Sequence, residues 1–150
     1  KNEMGLNLCI EHYNDLWPDN KIVPCHGDLT LDNVFFSGSK ITFFDWEHFF
    51  ADGEKWGFDI AYLLLSAAYL PYHMKNRLPV NDQLVFKKLW YKICENGLSD
   101  DIAKTPFDYF RNRFCSVKHW SEIVSHSPNK LFPIWSNKSF NNYIHDIINI

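Results

Sequence analysis

Three oxygen-bearing side chains are spaced so that they could share one task. Asp28 lies in Cys25-His26-Gly27-Asp28-Leu29, Asn33 follows five residues on, and Asp45 in Phe44-Asp45-Trp46-Glu47 comes twelve residues after Asn33. Magnesium commonly takes one or two protein carboxylates and completes its octahedron with water and substrate phosphates. Asn33 with Asp45 is an incomplete shell of that kind. Asp28 is then left for the other need of phosphoryl transfer, a group that orients the attacking hydroxyl. A carboxylate is a weak base toward an alcohol, so its task is to aim the hydroxyl and take the proton late, once the P–O bond is forming. Gly27 permits the backbone to approach closely beside it.

These groups meet only if the chain between them folds back on itself. Val34-Phe35-Phe36 and Ile41-Thr42-Phe43-Phe44 read as strands, with Ser37-Gly38-Ser39-Lys40 as the turn of a hairpin. A turn centred near Gly38 and Ser39 sets Phe36 across from Ile41 or Thr42 and Asn33 opposite Phe44 or Asp45. Asp28 sits in the loop just before, so the three groups converge at one end of the hairpin. Ile22-Val23 adds a further β segment, giving one small sheet with a hairpin. Ahead of it Leu6, Cys9, Ile10, Tyr13, Leu16 and Trp17 form one apolar helix face, stopped by Pro18.

Behind the hairpin, past a Gly-containing loop, the pattern predicts a buried helix from Gly57 to Leu70. A second runs from Asp82 to Glu95, closed by Asn96-Gly97. Thr105-Pro106-Phe107-Asp108 opens another, with Phe107, Phe110, Phe114, Val117 and Val124 on its face. A last helix presents Phe140, Tyr143, Ile144, Ile147 and Ile148. The class is α+β and mainly helical. No repeat or linker divides residues 1–150, which read as one lobe.

Composition narrows the function classes. At 46% hydrophobic and 22% charged, the chain of 150 residues is globular rather than disordered. With 15 basic against 18 acidic residues the net charge is −3, so no broad basic field exists for nucleic acid. The stretch Ile60 to Leu70 is about half the length that spans a bilayer, and no membrane partner is expected. Cys9, Cys25, Cys94 and Cys115 show neither a C-x-x-C pair nor zinc spacing, which fits reduced thiols in a cytoplasmic protein.

An Asp-x-x-x-x-Asn spacing followed by an Asp at the end of the next strand has the skeleton of a protein-kinase catalytic site, with Gly27 in place of the usual arginine. More specifically, His26-Gly27-Asp28-Leu29 with Asn33, then Phe44-Asp45-Trp46-Glu47, resembles the aminoglycoside phosphotransferase and choline kinase superfamily. The likeness continues through Gly57-Phe58-Asp59-Ile60-Ala61-Tyr62-Leu63 and fades to a helical pattern beyond Ala68. The resemblance implies a protein-kinase-like C-terminal lobe, with a small antiparallel hairpin carrying the catalytic residues. It also implies an ATP- or GTP-dependent kinase of a small-molecule hydroxyl on an aminoglycoside, choline or ethanolamine, a sugar or an amino alcohol. Asp28 would be the catalytic aspartate, and Asn33 and Asp45 would hold Mg²⁺ and, through it, the nucleotide. His26 would brace the catalytic loop, and Asp59 would accept hydrogen bonds from that loop. Thr30 stands where many members carry His, and Asp32 where a small residue is common.

No strand-borne lysine or Gly-rich loop precedes Asp28, so the expectation is a C-terminal lobe whose nucleotide-binding N-terminal lobe is missing from the chain. Alone it should be inactive and should self-associate through the uncovered surface. Other readings stay open. Asp59 equally suits a helix N-cap. Glu47 suits a metal or substrate contact, or a solvent-facing acid. Trp46, His48, Phe49, Phe50 and Trp56 suit packing, or an aromatic cage for a quaternary ammonium. A metal-dependent phosphoesterase would use His26, Asp28, Asn33 and Asp45 as a two-metal shell. A kinase remnant would survive as a non-catalytic binding module.

Overall fold

A computed structural model describes residues 8–9, 11–12, 15, 22–38, 40–93 and 138–149. The expected helix over 105–124, the Asn96-Gly97 stop, Cys94 and Cys115 lie outside the described residues. Ahead of the first strand Leu8, Cys9, Glu11, His12 and Asp15 are helical and Cys9 is buried; Leu6, Ile10, Tyr13, Leu16, Trp17 and the Pro18 stop lie outside the described residues.

Strand β1 (Ile22–Cys25) leads through the site loop into a 3-10 turn at Leu31–Asn33. The hairpin β2 (Val34–Ser37) and β3 (Lys40–Phe43) follows. Its register is Val34 with Phe43, Phe35 with Thr42 and Phe36 with Ile41, one of the two pairings expected. Val34 and Phe43 face each other as a buried pair, while Phe35 and Phe36 are exposed.

The expectation of one small sheet needs correction. β1 does not join the hairpin. It pairs antiparallel with β4 (Phe50–Lys55), so there are two two-stranded sheets. Segment 50–55 reads as a loop because Phe50-Ala51-Asp52-Gly53-Glu54-Lys55 has no β-branched residue and no clean alternation. Its glycine is what allows the pairing. Gly53 has φ +83, and a Cβ there would lie 2.7 Å from the Val23 carbonyl oxygen, so this close approach of strands admits only glycine.

Helix α1 (Gly57–His73) is apolar almost all round, with Phe58, Ile60, Ala61, Leu63, Leu64, Leu65 and Ala68 buried. It runs three residues past the expected end at Leu70. Pro71 falls in the last turn, where its ring forfeits one intrahelical bond while the Met74 N–H still donates to the Leu70 carbonyl at 3.0 Å. Helix α2 (Val80–Lys92) begins just after Pro79, two residues ahead of the expected Asp82, and buries Val85, Phe86, Leu89 and Trp90. Helix α3 (Lys138–Ile148) buries Phe140, Ile144 and Ile147. Phe140 meets Tyr72 of α1 edge-on at a centroid distance of 5.0 Å. Full burial of Phe58, Phe86 and Phe140 contributes about 1.5–3 kcal/mol each. Among the described residues no helix is long and apolar enough to cross a membrane.

Candidate active site

The loop between β1 and the 3-10 turn is fastened from below by α1. The buried Asp59 carboxylate accepts the His26 N–H at 2.7 Å on Oδ2 and the Gly27 N–H at 3.0 Å on Oδ1. Gly27, at φ +84, turns the chain so that consecutive N–H groups face the same carboxylate. Asp59 is the third residue of α1, and the position ahead of the helix is Trp56, which makes no side-chain cap. The cap reading is therefore set aside: its oxygens serve the loop. Leu29, fully buried, anchors the next turn of the loop in the core.

His26 ties the loop to the end of the hairpin. Its Nε2 lies 2.8 Å from the Phe44 carbonyl, and its Nδ1 accepts the Asp28 N–H at 3.3 Å. A carbonyl only accepts, so these partners assign the neutral tautomer with the proton on Nε2. The ring, 0% exposed, also packs against Trp46 at 4.6 Å. With both nitrogens engaged, His26 has no lone pair for a metal. The two-metal phosphoesterase shell that would include it is corrected on that ground.

Asp28 and Asn33 are held as a pair. The Asn33 Nδ2 donates to the Asp28 carbonyl at 2.8 Å and reaches the Asp28 carboxylate at 3.4 Å. Its amide oxygen, Oδ1, is thereby turned away from Asp28. The Phe44 N–H donates to the Asn33 carbonyl at 3.1 Å, which extends the hairpin pairing by one residue and sets Asp45 immediately beyond Asn33's opposite number. Asp45 is exposed and adopts φ 62, ψ 61. That left-handed geometry is uncommon for a residue with a side chain and most tolerable for Asn or Asp. It turns the chain from β3 into a 3-10 turn at Trp46–His48.

Tyr62 belongs to the same cluster and was not singled out from the sequence. Tyr62, 5% exposed, stands on α1 between Asp59 and Ser66, on the helix face that meets the site loop. Burial holds its pKa well above the ordinary tyrosine value, helped by the charge and hydrogen bond of Asp28 and the charge of Asp59. The available signal was its position three residues after Asp59, on the same helix face. Ser66, four further on, accepts the Leu31 N–H at 3.4 Å.

The residues after Asp45 scatter. Glu47 lies 3.2 Å from His48 Nε2. Trp46 donates its ring N–H to the Phe43 carbonyl at 3.0 Å. Trp56 is buried in the core and Phe50 lies within β4, whereas the exposed Phe49 meets Trp46 at a ring-centroid distance of 6.0 Å.

Residues 7–72 match the phosphotransferase enzyme family (APH). The match is consistent with the aminoglycoside phosphotransferase and choline kinase-like superfamily. It covers both sheets, the site loop and all but the last residue of α1, so every residue of the cluster lies within the matched segment. No curated protein and no solved structure matches the chain. Helices α2 and α3 fall outside the matched residues.

Proposed function

We propose that this phosphotransferase segment is the catalytic lobe of a kinase that uses ATP or GTP with Mg²⁺ to phosphorylate a hydroxyl on a small molecule such as an aminoglycoside, choline or ethanolamine, a sugar or an amino alcohol. The observation that carries the reading is the fixed pair of Asp28 and Asn33. An amide whose NH₂ donates to its neighbour keeps its oxygen as an acceptor, next to a carboxylate that still has lone pairs to give.

Magnesium suits the donors. Asn33 Oδ1 and the exposed Asp45 carboxylate are hard oxygen ligands, few enough to leave most of the shell to water and phosphate. Among the described residues no group of three or more His, Cys, Asp or Glu could hold a metal by itself. When bound, the ion would neutralise charge developing on the transferred phosphoryl group. The chain's own residues do the rest. Asp28 accepts the acceptor's O–H, orients its oxygen and takes the proton late. His26 and Asp59 hold the loop's backbone so that Asp28 stays at a set distance from the end of β3. A separate nucleotide-binding lobe would cover the exposed Phe35, Phe36, Phe44, Trp46 and Phe49, and we place the protein in the cytoplasm, where nucleotide is available.

The test is radiolabelled phosphate transfer from Mg²⁺-ATP and Mg²⁺-GTP, in the protein with a nucleotide-binding lobe present, to choline, ethanolamine, kanamycin and glucose. Transfer to one of these hydroxyls supports the reading. Nucleotide binding without transfer to any acceptor would count against it and favour a non-catalytic kinase remnant.

A further inference from the structure

Asp59, Tyr62 and Ser66 stand at i, i+3 and i+7 of α1, the spacing that stacks side chains along one helix face. Their neighbours Phe58, Ile60, Leu63, Leu64 and Leu65 are buried and apolar, so the three form a polar stripe on a hydrophobic helix. Each meets the site loop at a different point. Asp59 takes the N–H groups of His26 and Gly27, and Ser66 takes that of Leu31. Those bonds engage main chain and dock the loop whatever its side chains are. Tyr62, buried between them on the same face, stands opposite the stretch of loop that carries Asp28, between Gly27 and Leu31.

We propose that Tyr62 is a positioning residue that fixes the Asp28 carboxylate for the incoming hydroxyl. This rests on the kinase reading of Asp28. A buried phenol requires an acceptor, and a phenylalanine would fill the same space without one. Asn33 from the 3-10 turn already reaches the Asp28 carboxylate at 3.4 Å, and the Tyr62 phenol from α1 would be its second donor. The carboxylate's remaining lone pairs are the ones a substrate hydroxyl can use. Released from Tyr62, the carboxylate regains rotation about its side-chain bonds, and a displacement of about 1 Å at a reacting group can cost roughly a hundredfold in rate.

The experiment compares wild type, Tyr62→Phe, Asp28→Asn and the double variant. Turnover is measured with Mg²⁺-ATP and whichever of the four acceptors above is phosphorylated, and unfolding is followed in urea. The expected result is a kcat lowered roughly tenfold to hundredfold in Tyr62→Phe with the KM for Mg²⁺-ATP unchanged, and a double variant no slower than Asp28→Asn alone. In urea the two substitutions should be coupled, their joint effect on the unfolding constant falling short of the product by roughly tenfold. Wild-type kcat in Tyr62→Phe, losses that multiply, or uncoupled unfolding would each overturn the proposal and leave Tyr62 as core packing. Asp28→Asn at wild-type turnover, or no phosphorylated acceptor at all, would instead bring down the kinase reading and this proposal with it.

Discussion

Asn33 grips Asp28 twice through one nitrogen, at 2.8 Å to its carbonyl and 3.4 Å to its carboxylate. The amide's orientation is therefore set by Asp28 before any ligand arrives. The residue proposed to meet the metal and the residue proposed to aim the hydroxyl are held as one unit.

Asn33→Asp separates this anchoring role from a purely ligating one. The substitution keeps an oxygen for a metal but replaces the NH₂ with a second oxygen, facing an acceptor carbonyl and a like-charged carboxylate. We expect a loss of about 1–3 kcal/mol of stability in urea denaturation, with reduced turnover. Undiminished stability would mean that the paired bonds contribute nothing and that Asp suffices at this position.

Asp59→Asn probes the loop's fastening. The carboxylate receives two N–H donors, and an amide offers only one oxygen, so one buried N–H is left facing an NH₂. The expected cost is about 1–3 kcal/mol, read as a lower urea midpoint at unchanged m-value. Faster amide hydrogen exchange at His26 and Gly27 should accompany it. Exchange that stays at the wild-type rate would contradict the fastening.

The site was legible where chemistry and spacing coincide. Asp28, Asn33 and Asp45 stand out because oxygen-rich side chains flank a hairpin whose register follows from its turn, and the observed pairing of Phe36 with Ile41 is within that arithmetic. Two things were not legible. Strand β4 hides because it is made by its partner: Gly53 is chosen by the nearness of Val23, a fact about tertiary structure with no local propensity behind it. Tyr62 hides because a tyrosine inside an apolar helical run looks like core until the loop packed against it is known. Asp59 was ambiguous for the opposite reason, since an acid at a helix start suits a cap and a brace alike, and only its hydrogen-bond partners separate them.

Among the described residues, Cys9 and Tyr62 are buried groups that make the fold sensitive to alkali. Cys9, held at about 11 by burial against 9.0 for an ordinary thiol, and Tyr62, held well above 10.0, both keep protons in the folded state that the unfolded chain releases. Folding therefore binds protons. Stability should fall as pH rises above 9, fall more steeply above 10, and be insensitive to these groups below 9. Tyr62→Phe should be flatter than wild type above pH 10 in urea midpoints taken between pH 8 and 11. An equal slope for both proteins would show that Tyr62 titrates freely.

The division of labour between Asp28 and Asp45 is the central claim, and nucleotide affinity measured beside turnover tests it most directly. Isothermal titration with Mg²⁺-ATP and phosphate-transfer kinetics are run on wild type, Asp28→Asn and Asp45→Asn, each with the proposed nucleotide-binding lobe supplied. Asp28→Asn should lose turnover by orders of magnitude while binding Mg²⁺-ATP nearly as tightly as wild type, because the proposal gives Asp28 the acceptor hydroxyl. Asp45→Asn should lose both, because the proposal has it act through Mg²⁺ on the phosphates. Equal loss of nucleotide affinity in the two variants, or wild-type turnover in Asp28→Asn, would contradict the account.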